Sequence, residues 1–383
     1  MTGTSVIEID RSALIHNLNF IQDYLVRDVK VSSVIKANAY GHGIEEFVPI
    51  AEMAGINHFS VFSADEAQRA CKVKQPETEV MIMGWVSDEN LEWVIKNQIQ
   101  FYVFEYLNLE KAAKVAKKLK EKAIIHLEVE TGMNRTGFIQ KDLKKAVDFI
   151  SKNKDLFVVK GLCTHYAGAE SIANHVRIQK QLKKYNQLYK WIVNNGVVPE
   201  IRHTACSAAA MSYPRTRMDM VRIGIIQYGF WPTLETYIQY ISKQMDKTDP
   251  LIRIISWRSK VMSLKKVKTG EFVSYGTAYL ANEDKIIAIV PVGYSHGYSR
   301  SLSNQGRVLV GGQRAGVIGV VNMNMLIVDV TTIPDIEVGD DVVLIGTQNG
   351  LDISLASFAD FNNQLNYELL ARLPMNIPRK VKN

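Results

Sequence analysis

Short apolar runs alternate with amphipathic stretches over roughly the first 225 residues of this 383-residue chain. The apolar runs have the length and the flanking turn residues of buried strands, whereas the stretches between them have helical spacing. Eight strands are predicted, over residues 31–35, 58–62, 80–84, 100–104, 123–130, 158–165, 200–206 and 220–225. Eight strands alternating with helices predict a (β/α)8 barrel, because no G-x-G-x-x-G motif follows any strand as an open dinucleotide-binding sheet would require.

The pattern changes after about Phe230, where shorter alternating runs are separated by glycines. This spacing is typical of a mainly antiparallel β-domain. The alternating run Ser5–Ile9 at the start of the chain is predicted to join that domain. We therefore expect an α/β protein with a barrel over 11–235 and a discontinuous β-domain made of 1–10 and 236–383.

Composition and charge exclude several functions. The formal net charge of +7 is scattered, and no Lys/Arg block contains interleaved aromatics, which argues against a nucleic-acid partner. No run approaches 18 apolar residues, so no membrane span is expected. Cys71, Cys163 and Cys206 lie far apart without metal-ligand spacing. Free thiols and the absence of a signal-peptide pattern predict a cytoplasmic protein without a metal site.

Lys36 lies at the end of the first barrel strand, next to apolar residues. Desolvation there lowers the pKa of an amine, and a neutral lysine can form a Schiff base with an aldehyde. The alternative is a lysine that extends from the strand end into solvent. Tyr40, Gly41 and Gly43 favour the first interpretation, because a hydroxyl and two flexible backbone positions suit a phosphate site.

Chemistry in such barrels lies at the carboxyl ends of the strands. That rule selects Lys36, the segment 128–135, His165, Ser207 and the segment 222–224 as residues that meet at one end of the barrel. The sequence thus predicts one site that combines an amine, two arginines, a histidine and a hydroxyl.

Five ordered motifs carry a resemblance to a known family. They are VIKANAYGHG (34–43), ETGMNRTG (130–137), VRIG (221–224) followed by YG (228–229), VSYG (273–276) and VGYSHG (292–297). The chain resembles the alanine racemases, which are fold-type III pyridoxal-phosphate enzymes, over nearly its whole length. The resemblance implies a pyridoxal 5'-phosphate (PLP) cofactor, a PLP-binding (β/α)8 barrel and a second β-domain.

The resemblance also implies two catalytic bases. Lys36 matches the lysine that holds PLP and then acts on one face of the substrate Cα. Tyr275 matches the base on the opposite face, which comes from the partner subunit, so a homodimer with shared active sites is implied. Since a tyrosine is a poor base at neutral pH, it needs neighbours such as His165 and Arg222 to stabilise the phenolate. By itself, Tyr275 would be interpreted as a strand aromatic of the β-domain.

Arg222 matches the arginine that faces the pyridine nitrogen of the cofactor. A guanidinium stays protonated and donates, so the ring becomes a weaker electron sink, which favours racemisation over transamination. Other matches complete the site implied by the family: Tyr40, Ser207 and the N–H groups of Gly224 and Ile225 for the phosphate, Arg135 and Met323 for the substrate carboxylate, Tyr294 and Arg300 for the access channel.

Some positions depart from the family pattern. Glu128 replaces a carbamylated lysine of many relatives, and we hypothesise that it forms an ion pair with Arg135 directly. The other departures are Asn322 and Asn324 beside Met323, Val320 and His296 in the access channel, and Met375 where many relatives have a tyrosine. These differences leave substrate specificity open.

The leading prediction is an alanine racemase that interconverts L-alanine and D-alanine, the latter for peptidoglycan. A serine or broad-specificity racemase is the close alternative. A non-catalytic PLP-binding carrier protein is an alternative of another class, although such proteins lack the second β-domain. A fold-type III decarboxylase is disfavoured by Arg222, since an acidic residue normally faces the pyridine nitrogen there.

Overall fold

The computed structural model describes residues 3–25, 28–359 and 366–383 and divides the chain into two compact units. The barrel unit contains residues 12–37 and 48–253, and the β unit contains 1–11, 38–47 and 254–383. This division differs from the predicted boundary at 235/236, because the helix Leu234–Ile241 packs on the barrel helix Ser207–Ser212. Helical spacing in the sequence also predicts helices over 354–361 and 365–372, and these stretches lie partly outside the described residues.

The barrel unit is built on one parallel sheet. After the N-terminal strand β1 (Ser5–Asp10) of the β unit, its strands are β2 (Lys30–Val34), β3 (His58–Val61), β4 (Glu79–Ile82), β5 (Gln100–Val103), β6 (Ala123–Glu128), β7 (Phe157–Cys163), β8 (Ile201–His203) and β9 (Met220–Ile223). They pair in the order β8-β7-β6-β5-β4-β3-β2-β9. The Arg222 N–H donates to the Ala205 carbonyl at 2.9 Å and links β9 to the chain beyond β8, which nearly closes the barrel. The predicted fold class is confirmed.

Helices precede, separate and follow these strands: α1 (Arg11–Leu25), α2 (Lys36–Tyr40), α3 (Ile44–Met53), α4 (Ala64–Cys71), α5 (Asp88–Lys96), α6 (Tyr106–Leu119), α7 (Gln140–Lys152), α8 (His175–Asn194), α9 (Ser207–Ser212) and α10 (Leu234–Ile241). Helix α7 shows why they form. Leu143, Ala146, Val147 and Ile150 recur on one face and are buried, while its charged residues lie on the other face. Among the described residues, we find no helix with the length and apolarity needed to cross a membrane.

The β unit contains two mainly antiparallel sheets. Its further elements are β10 (Ile255–Lys260), β11 (Ser263–Val267), β12 (Lys285–Val290), β13 (Arg307–Val310), β14 (Gln313–Gly316), β15 (Leu326–Asp329), β16 (Asp341–Gln348), β17 (Leu351–Ile353), α11 (Ala356–Ala359), α12 (Asn366–Ala371) and β18 (Arg379–Lys382). One sheet has the order β14-β13-β16-β10-β1-β18, with β17 on β16, and the other is β11-β12-β15. Strand β10 alternates buried and partly exposed residues, as expected for a strand with one face on a core.

The inside of the barrel is polar at a point where a core would ordinarily be apolar. His126 on β6 and His203 on β8 are fully buried, and their rings meet across Gly161 of the intervening strand β7. A Cβ at Gly161 would lie 2.1 Å from Nδ1 of His126 and 2.9 Å from Nε2 of His203. The pairing of β6 with β7 also shifts register between Ile125 and His126. Gly161 therefore provides the room that the histidine pair needs.

We expect Gly161→Ala to lower the free energy of unfolding by about 1–3 kcal/mol, because overpacking forces ring and backbone shifts. Gly316→Ala is the matched control, since Gly316 also lies in a strand and a Cβ there meets nothing within 4 Å. Denaturant titration of both variants measures the difference. Equal, small effects would show that the histidine pair adjusts freely.

Candidate active site

Lys36 lies two residues after the end of the buried strand β2, and hydrogen bonds to that strand end fix its backbone position. The side-chain amide of Gln227 and the Tyr228 hydroxyl both donate to the Val34 carbonyl, each at 2.9 Å. The Ser33 hydroxyl donates back to Gln227 at 2.8 Å. These buried hydrogen bonds tie the end of β2 to the 3-10 helix Ile225–Tyr228 and hold the backbone from which Lys36 projects.

The backbone after Lys36 forms an unusual left-handed turn. Ala37, Asn38, Ala39 and Tyr40 all have φ between +51° and +55°. L-residues avoid this region at a cost of about 1–2 kcal/mol each, and it is normally occupied by single residues. The sequence predicts only a flexible turn here, because neither alanine nor tyrosine favours positive φ. Strain of this kind is concentrated at functional sites.

The charges around Lys36 oppose its protonation. Desolvation lowers the pKa of the Lys36 amine, and the positive charge of Arg135 lowers it further, followed by that of Arg222, while Glu66 acts in the opposite direction. The Lys36 side chain is nevertheless exposed to solvent. Its amine makes no hydrogen bond to any residue that the structure describes. Lys36 is thus an accessible amine with an increased neutral fraction.

Glu130 shapes the loop that carries Arg135. Its carboxylate accepts hydrogen bonds from the N–H groups of Gly132, Met133 and Asn134, the last two at 2.8 Å. Asn134 has a φ of +59°, which asparagine tolerates better than most residues. This local folding places the charge of Arg135 close enough to Lys36 to influence its pKa.

Arg222 is a buried guanidinium with four of its five N–H groups engaged. Nη1 donates to Nδ1 and to the carbonyl of His203, both at 2.7 Å. Nη2 donates to the carbonyls of Thr164 at 2.8 Å and Thr204 at 3.2 Å. The Nε–H has no acceptor among the described residues. Arg222 can therefore donate one further hydrogen bond to a ligand from a fixed position.

His165 lies close enough to Arg222, Arg135 and Lys36 for their charges to influence its pKa. Burial lowers its pKa to about 3, with further contributions from the positive charges of Arg222, Arg135 and Lys36. A neutral imidazole is expected over the physiological pH range. The structure thus brings together Lys36, Arg135, His165 and Arg222, as the position of each at a strand end predicted.

Ser207 and Gly224 lie side by side. The Gly224 N–H donates to the Ser207 hydroxyl at 2.9 Å, where α9 and the 3-10 helix Ile225–Tyr228 begin. Hydroxyls and backbone N–H groups at barrel loops are the donors that phosphate requires. Together with the uncommitted Nε–H of Arg222 and the accessible amine of Lys36, they fit a phosphorylated pyridine aldehyde such as PLP.

Glu128 does not behave as we hypothesised. No ion pair between Glu128 and Arg135 occurs in the part of the chain that the structure describes; Glu128 accepts a hydrogen bond from the Thr136 hydroxyl, and Arg135 is exposed. Burial raises the pKa of the Glu128 carboxyl, against smaller opposing effects of the Thr136 hydroxyl and the charges of Arg222 and Arg135. The hypothesised ion pair is therefore not formed in this structure, and burial favours the protonated form of Glu128.

Tyr275, Tyr294 and Met323 lie on segments of the β unit that are connected by hydrogen bonds. The Tyr294 N–H donates to the carbonyl of Asn322 at 3.0 Å, and the Ser274 hydroxyl donates to the carbonyl of Val320 at 2.9 Å. These contacts group Tyr275, Tyr294 and Met323, which are 72%, 42% and 56% exposed. All three side chains are accessible to a ligand or a partner.

Sequence reasoning missed a set of buried polar residues behind Arg222. His58, Gln100, His126 and His203 are fully buried in the barrel strands. The available signal was a polar residue within or at the edge of an apolar run, at positions that face the barrel interior. Without tertiary contacts, a histidine in such a run resembles an ordinary core residue.

The left-handed turn generates a prediction at Ala37, which is exposed and has a φ of +52°. Ala37→Val should lower the free energy of unfolding by roughly 1 kcal/mol or more, whereas Ala37→Gly should preserve or raise it, because only glycine adopts this φ without strain. Thermal unfolding ranks the variants. Ala278 is the control, because it is exposed and its φ is not positive. There the valine variant should be no less stable than the glycine variant. The same order at both positions would contradict a strained turn.

Glu128 generates a prediction about pH. The folded pKa is raised above the reference value of 4.5, so the native state prefers the protonated carboxyl and loses stability as the pH rises through that window. Glu128→Gln stays neutral at every pH. The difference in unfolding free energy, variant minus wild type, should therefore increase from about pH 4.5 upward. A difference that falls with pH would show that the arginines stabilise the anion instead.

Comparisons with known proteins agree with this geometry. Residues 9–232 match the family model "Alanine racemase, N-terminal domain", and residues 254–381 match "Alanine racemase, C-terminal domain". The chain is 34% identical to an alanine racemase of Halothermothrix orenii, covering 100% of this chain and 98% of that protein. It is 32% identical to one of Leptospira interrogans, covering 99% and 96%.

Solved structures agree as well. An alanine racemase of Bacillus anthracis with bound L-Ala-P is 27% identical and superposes with a TM-score of 0.91, covering 100% of this chain and 96% of that one. The similarity extends over both units, and the motif residues occur at the strand ends and loops described above. The chain belongs to the alanine racemase family of isomerases.

Proposed function

We propose that this protein is a PLP-dependent alanine racemase that interconverts L-alanine and D-alanine by a two-base mechanism. The observation that carries the proposal is the pairing of an accessible, pKa-lowered Lys36 amine with a buried Arg222 that has one uncommitted N–H. The family is PLP-dependent, and the racemase from Bacillus anthracis is solved with L-Ala-P. D-Alanine would then be available for peptidoglycan.

The chain's own residues would hold the cofactor. Lys36 would supply the amine for its aldehyde, Arg222 would donate its Nε–H to the pyridine nitrogen, and Ser207, Gly224 and Ile225 would supply donors for the phosphate, with Tyr40 as a further candidate. When bound, PLP withdraws electrons from the substrate and makes its Cα proton acidic. Because Arg222 remains protonated, it leaves the pyridine nitrogen unprotonated, which moderates this withdrawal and favours proton return over transamination.

Two side chains would move the Cα proton. Lys36, which is neutral more often than an ordinary lysine, accepts or returns the proton on one face. Tyr275 does the same on the opposite face and is supplied by the partner subunit of a homodimer. Its 72% exposure supports this role, because a side chain that works in a neighbouring subunit is uncovered in its own chain.

Arg135 and the Met323 N–H would bind the substrate carboxylate, with Tyr294 in the access channel. Arginine suits this task because its fixed donors match a carboxylate. Met323 and Met375 are exposed, and Val320, His296 and Asn324 lie on the neighbouring loops. Because these positions depart from the family pattern, L-serine is assayed beside L-alanine. Exchange of both amino acids at equal rates would indicate the broad-specificity racemase.

Lys36→Ala should lose the visible absorption band of bound PLP and all Cα exchange, since no amine remains for the aldehyde. Tyr275→Phe should retain the band and lose about 10²- to 10⁴-fold in racemisation, the usual contribution of a general base. Absorbance and proton NMR of L-alanine in D2O measure both effects. Tyr106→Phe, on the outer helix α6, is the matched control. A wild-type band without exchange on any amino acid would instead favour a PLP carrier.

Mixing the two inactive variants tests the shared site. If Tyr275 acts across the interface, a hybrid dimer of Lys36→Ala and Tyr275→Phe chains contains one complete site, and co-expression restores activity. If both bases come from one chain, every site in the hybrid lacks one base. Absence of rescue, with the hybrid dimer demonstrated by differential tagging, would overturn the shared site and leave the PLP chemistry to be judged on the single variants.

A further inference from the structure

A continuous chain of hydrogen bonds runs through the inside of the barrel behind Arg222. Nη1 of Arg222 contacts Nδ1 of His203 at 2.7 Å, and Nε2 of His203 contacts Nδ1 of His126 at 2.8 Å. Nε2 of His126 contacts Oε1 of Gln100 at 2.8 Å, and Nε2 of Gln100 donates to Oε1 of Glu79 at 2.6 Å. Glu79 and Gln100 begin their strands, so the chain connects the amino end of the barrel to the site at the carboxyl end.

Arg222, the first member of this hydrogen-bond chain, fixes which group donates and which accepts in every bond. A guanidinium only donates, so Nδ1 of His203 must accept and its proton must lie on Nε2. That proton is donated to Nδ1 of His126, whose own proton must then lie on Nε2 and point at Gln100. A reversed Gln100 amide would place an N–H against this N–H and an oxygen against the Glu79 carboxylate. All four bonds therefore point from Arg222 toward Glu79.

A side branch obeys the same rule. Nε2 of His58 lies 3.3 Å from Oε1 of Gln100, and its Nδ1 lies 2.8 Å from the Ser32 hydroxyl. Since Gln100 offers an oxygen, His58 also carries its proton on Nε2 and accepts from Ser32. Ser32 in turn contacts the Ser60 hydroxyl at 2.5 Å. Gln100 is thus the junction at which two imidazole N–H groups meet one acceptor.

The surroundings of His58, His126 and His203 favour the neutral form of each imidazole. Burial lowers the pKa of His58 to about 4 and lowers those of His126 and His203 well below the ordinary range. For His203 the next cause is the charge of Arg222, and for His126 it is the neighbouring His58. Neutral imidazoles pass on polarity by accepting at one nitrogen and donating at the other.

The two ends of the chain carry opposite charges. Arg222 has no carboxylate among its hydrogen-bond partners in the described residues. Glu79, about a third exposed, pairs with Lys30 and lies 3.8 Å from Lys160. Burial alone would raise the Glu79 pKa, but its bond to Lys30 outweighs this and the pKa is lowered, so Glu79 stays ionised. The aligned dipoles between them stabilise the positive charge at one end and the negative charge at the other.

We propose that His203, His126 and Gln100 are positioning residues that hold Arg222 in one orientation and connect it to the carboxylate of Glu79. The room that Gly161 leaves for the histidine pair is an independent observation that the barrel is built around this chain. The consequence for catalysis rests on the proposed function. The Nε–H of Arg222 is held in its binding orientation before the cofactor binds. Polar residues at the opposite end of the barrel would thereby tune the hydrogen bond to the pyridine nitrogen.

The first test uses the full-length protein without cofactor, with ¹⁵N-labelled histidine. Long-range ¹⁵N–¹H correlation spectra distinguish the two neutral tautomers and the imidazolium, and single His→Asn variants assign the signals. His58, His126 and His203 should each be neutral with the proton on Nε2. A proton on Nδ1 of His126 or His203, or a charged ring at either position, would overturn the directed chain.

The second test asks whether the chain positions Arg222 or only supports the fold. Gln100→Met nearly preserves shape but removes the junction, whereas Glu79→Gln keeps an acceptor and removes the charge. Tyr185→Phe is the control, because it deletes one buried hydrogen bond, to the Leu162 carbonyl at 2.8 Å, outside the chain. The readouts are the ¹⁵N resonance of ring-labelled PLP and its dissociation constant.

Gln100→Met should shift the pyridine ¹⁵N resonance and weaken PLP binding roughly 10- to 100-fold, the loss that removal of an outer-shell partner causes at metal sites. Glu79→Gln should shift it in the same direction but less, and Tyr185→Phe should leave it unchanged. If Gln100→Met loses stability as Tyr185→Phe does but leaves the resonance at its wild-type position, the positioning role is wrong.

None of these readouts requires turnover, so a wild type that binds PLP without racemising would refute the proposed function alone. If no PLP binds, the Arg222 Nε–H resonance of the cofactor-free variants gives the same comparison.

Discussion

The buried positive charge of Arg222 is the constraint on which the rest of the site depends. An unpaired charge in a protein interior costs several kcal/mol unless hydrogen bonds replace its hydration. Here the carbonyls of Thr164, His203 and Thr204, together with one imidazole nitrogen, replace that hydration. Such carbonyls are available because barrel strands end at this level, where their last acceptors have no further strand partner. The fold therefore supplies the solvation that a cation at the cofactor nitrogen requires.

The same charge influences its neighbours. Arg222 and Arg135 both disfavour protonation of Lys36 and of His165, while burial acts in the same direction. One field thus produces a more nucleophilic amine and a neutral imidazole at the same end of the barrel. Glu128 lies in this field too, but its desolvation dominates and its pKa rises. Positive charge and burial both lower the pKa values of Lys36 and His165, whereas they oppose each other at Glu128. This difference explains why the pKa of Glu128 rises while the other two fall.

Periodicity alone predicted much of the barrel and the strand-end position of Lys36, His165 and Arg222, because parallel strands bring their carboxyl ends to one level. Their roles, and the importance of Tyr275, came from the resemblance, since no pattern distinguishes Tyr275 from a packed aromatic. The left-handed turn after Lys36 was not predictable, because alanine and tyrosine have no local preference for it. Only surrounding structure can hold such a turn, and that information is absent from a window of sequence.

The features that local reasoning missed have a common physical origin. The left-handed residues after Lys36, the missing side chain at Gly161 and the buried histidines each contradict what their own segment would prefer. Natural sequences are locally consistent except where function requires otherwise. All of these exceptions lie directly behind or beside Lys36 and Arg222, while the outer helices follow their patterns closely. The strain and the buried polarity therefore mark the part of the barrel where fixed positions for Lys36 and Arg222 have been favoured over stability.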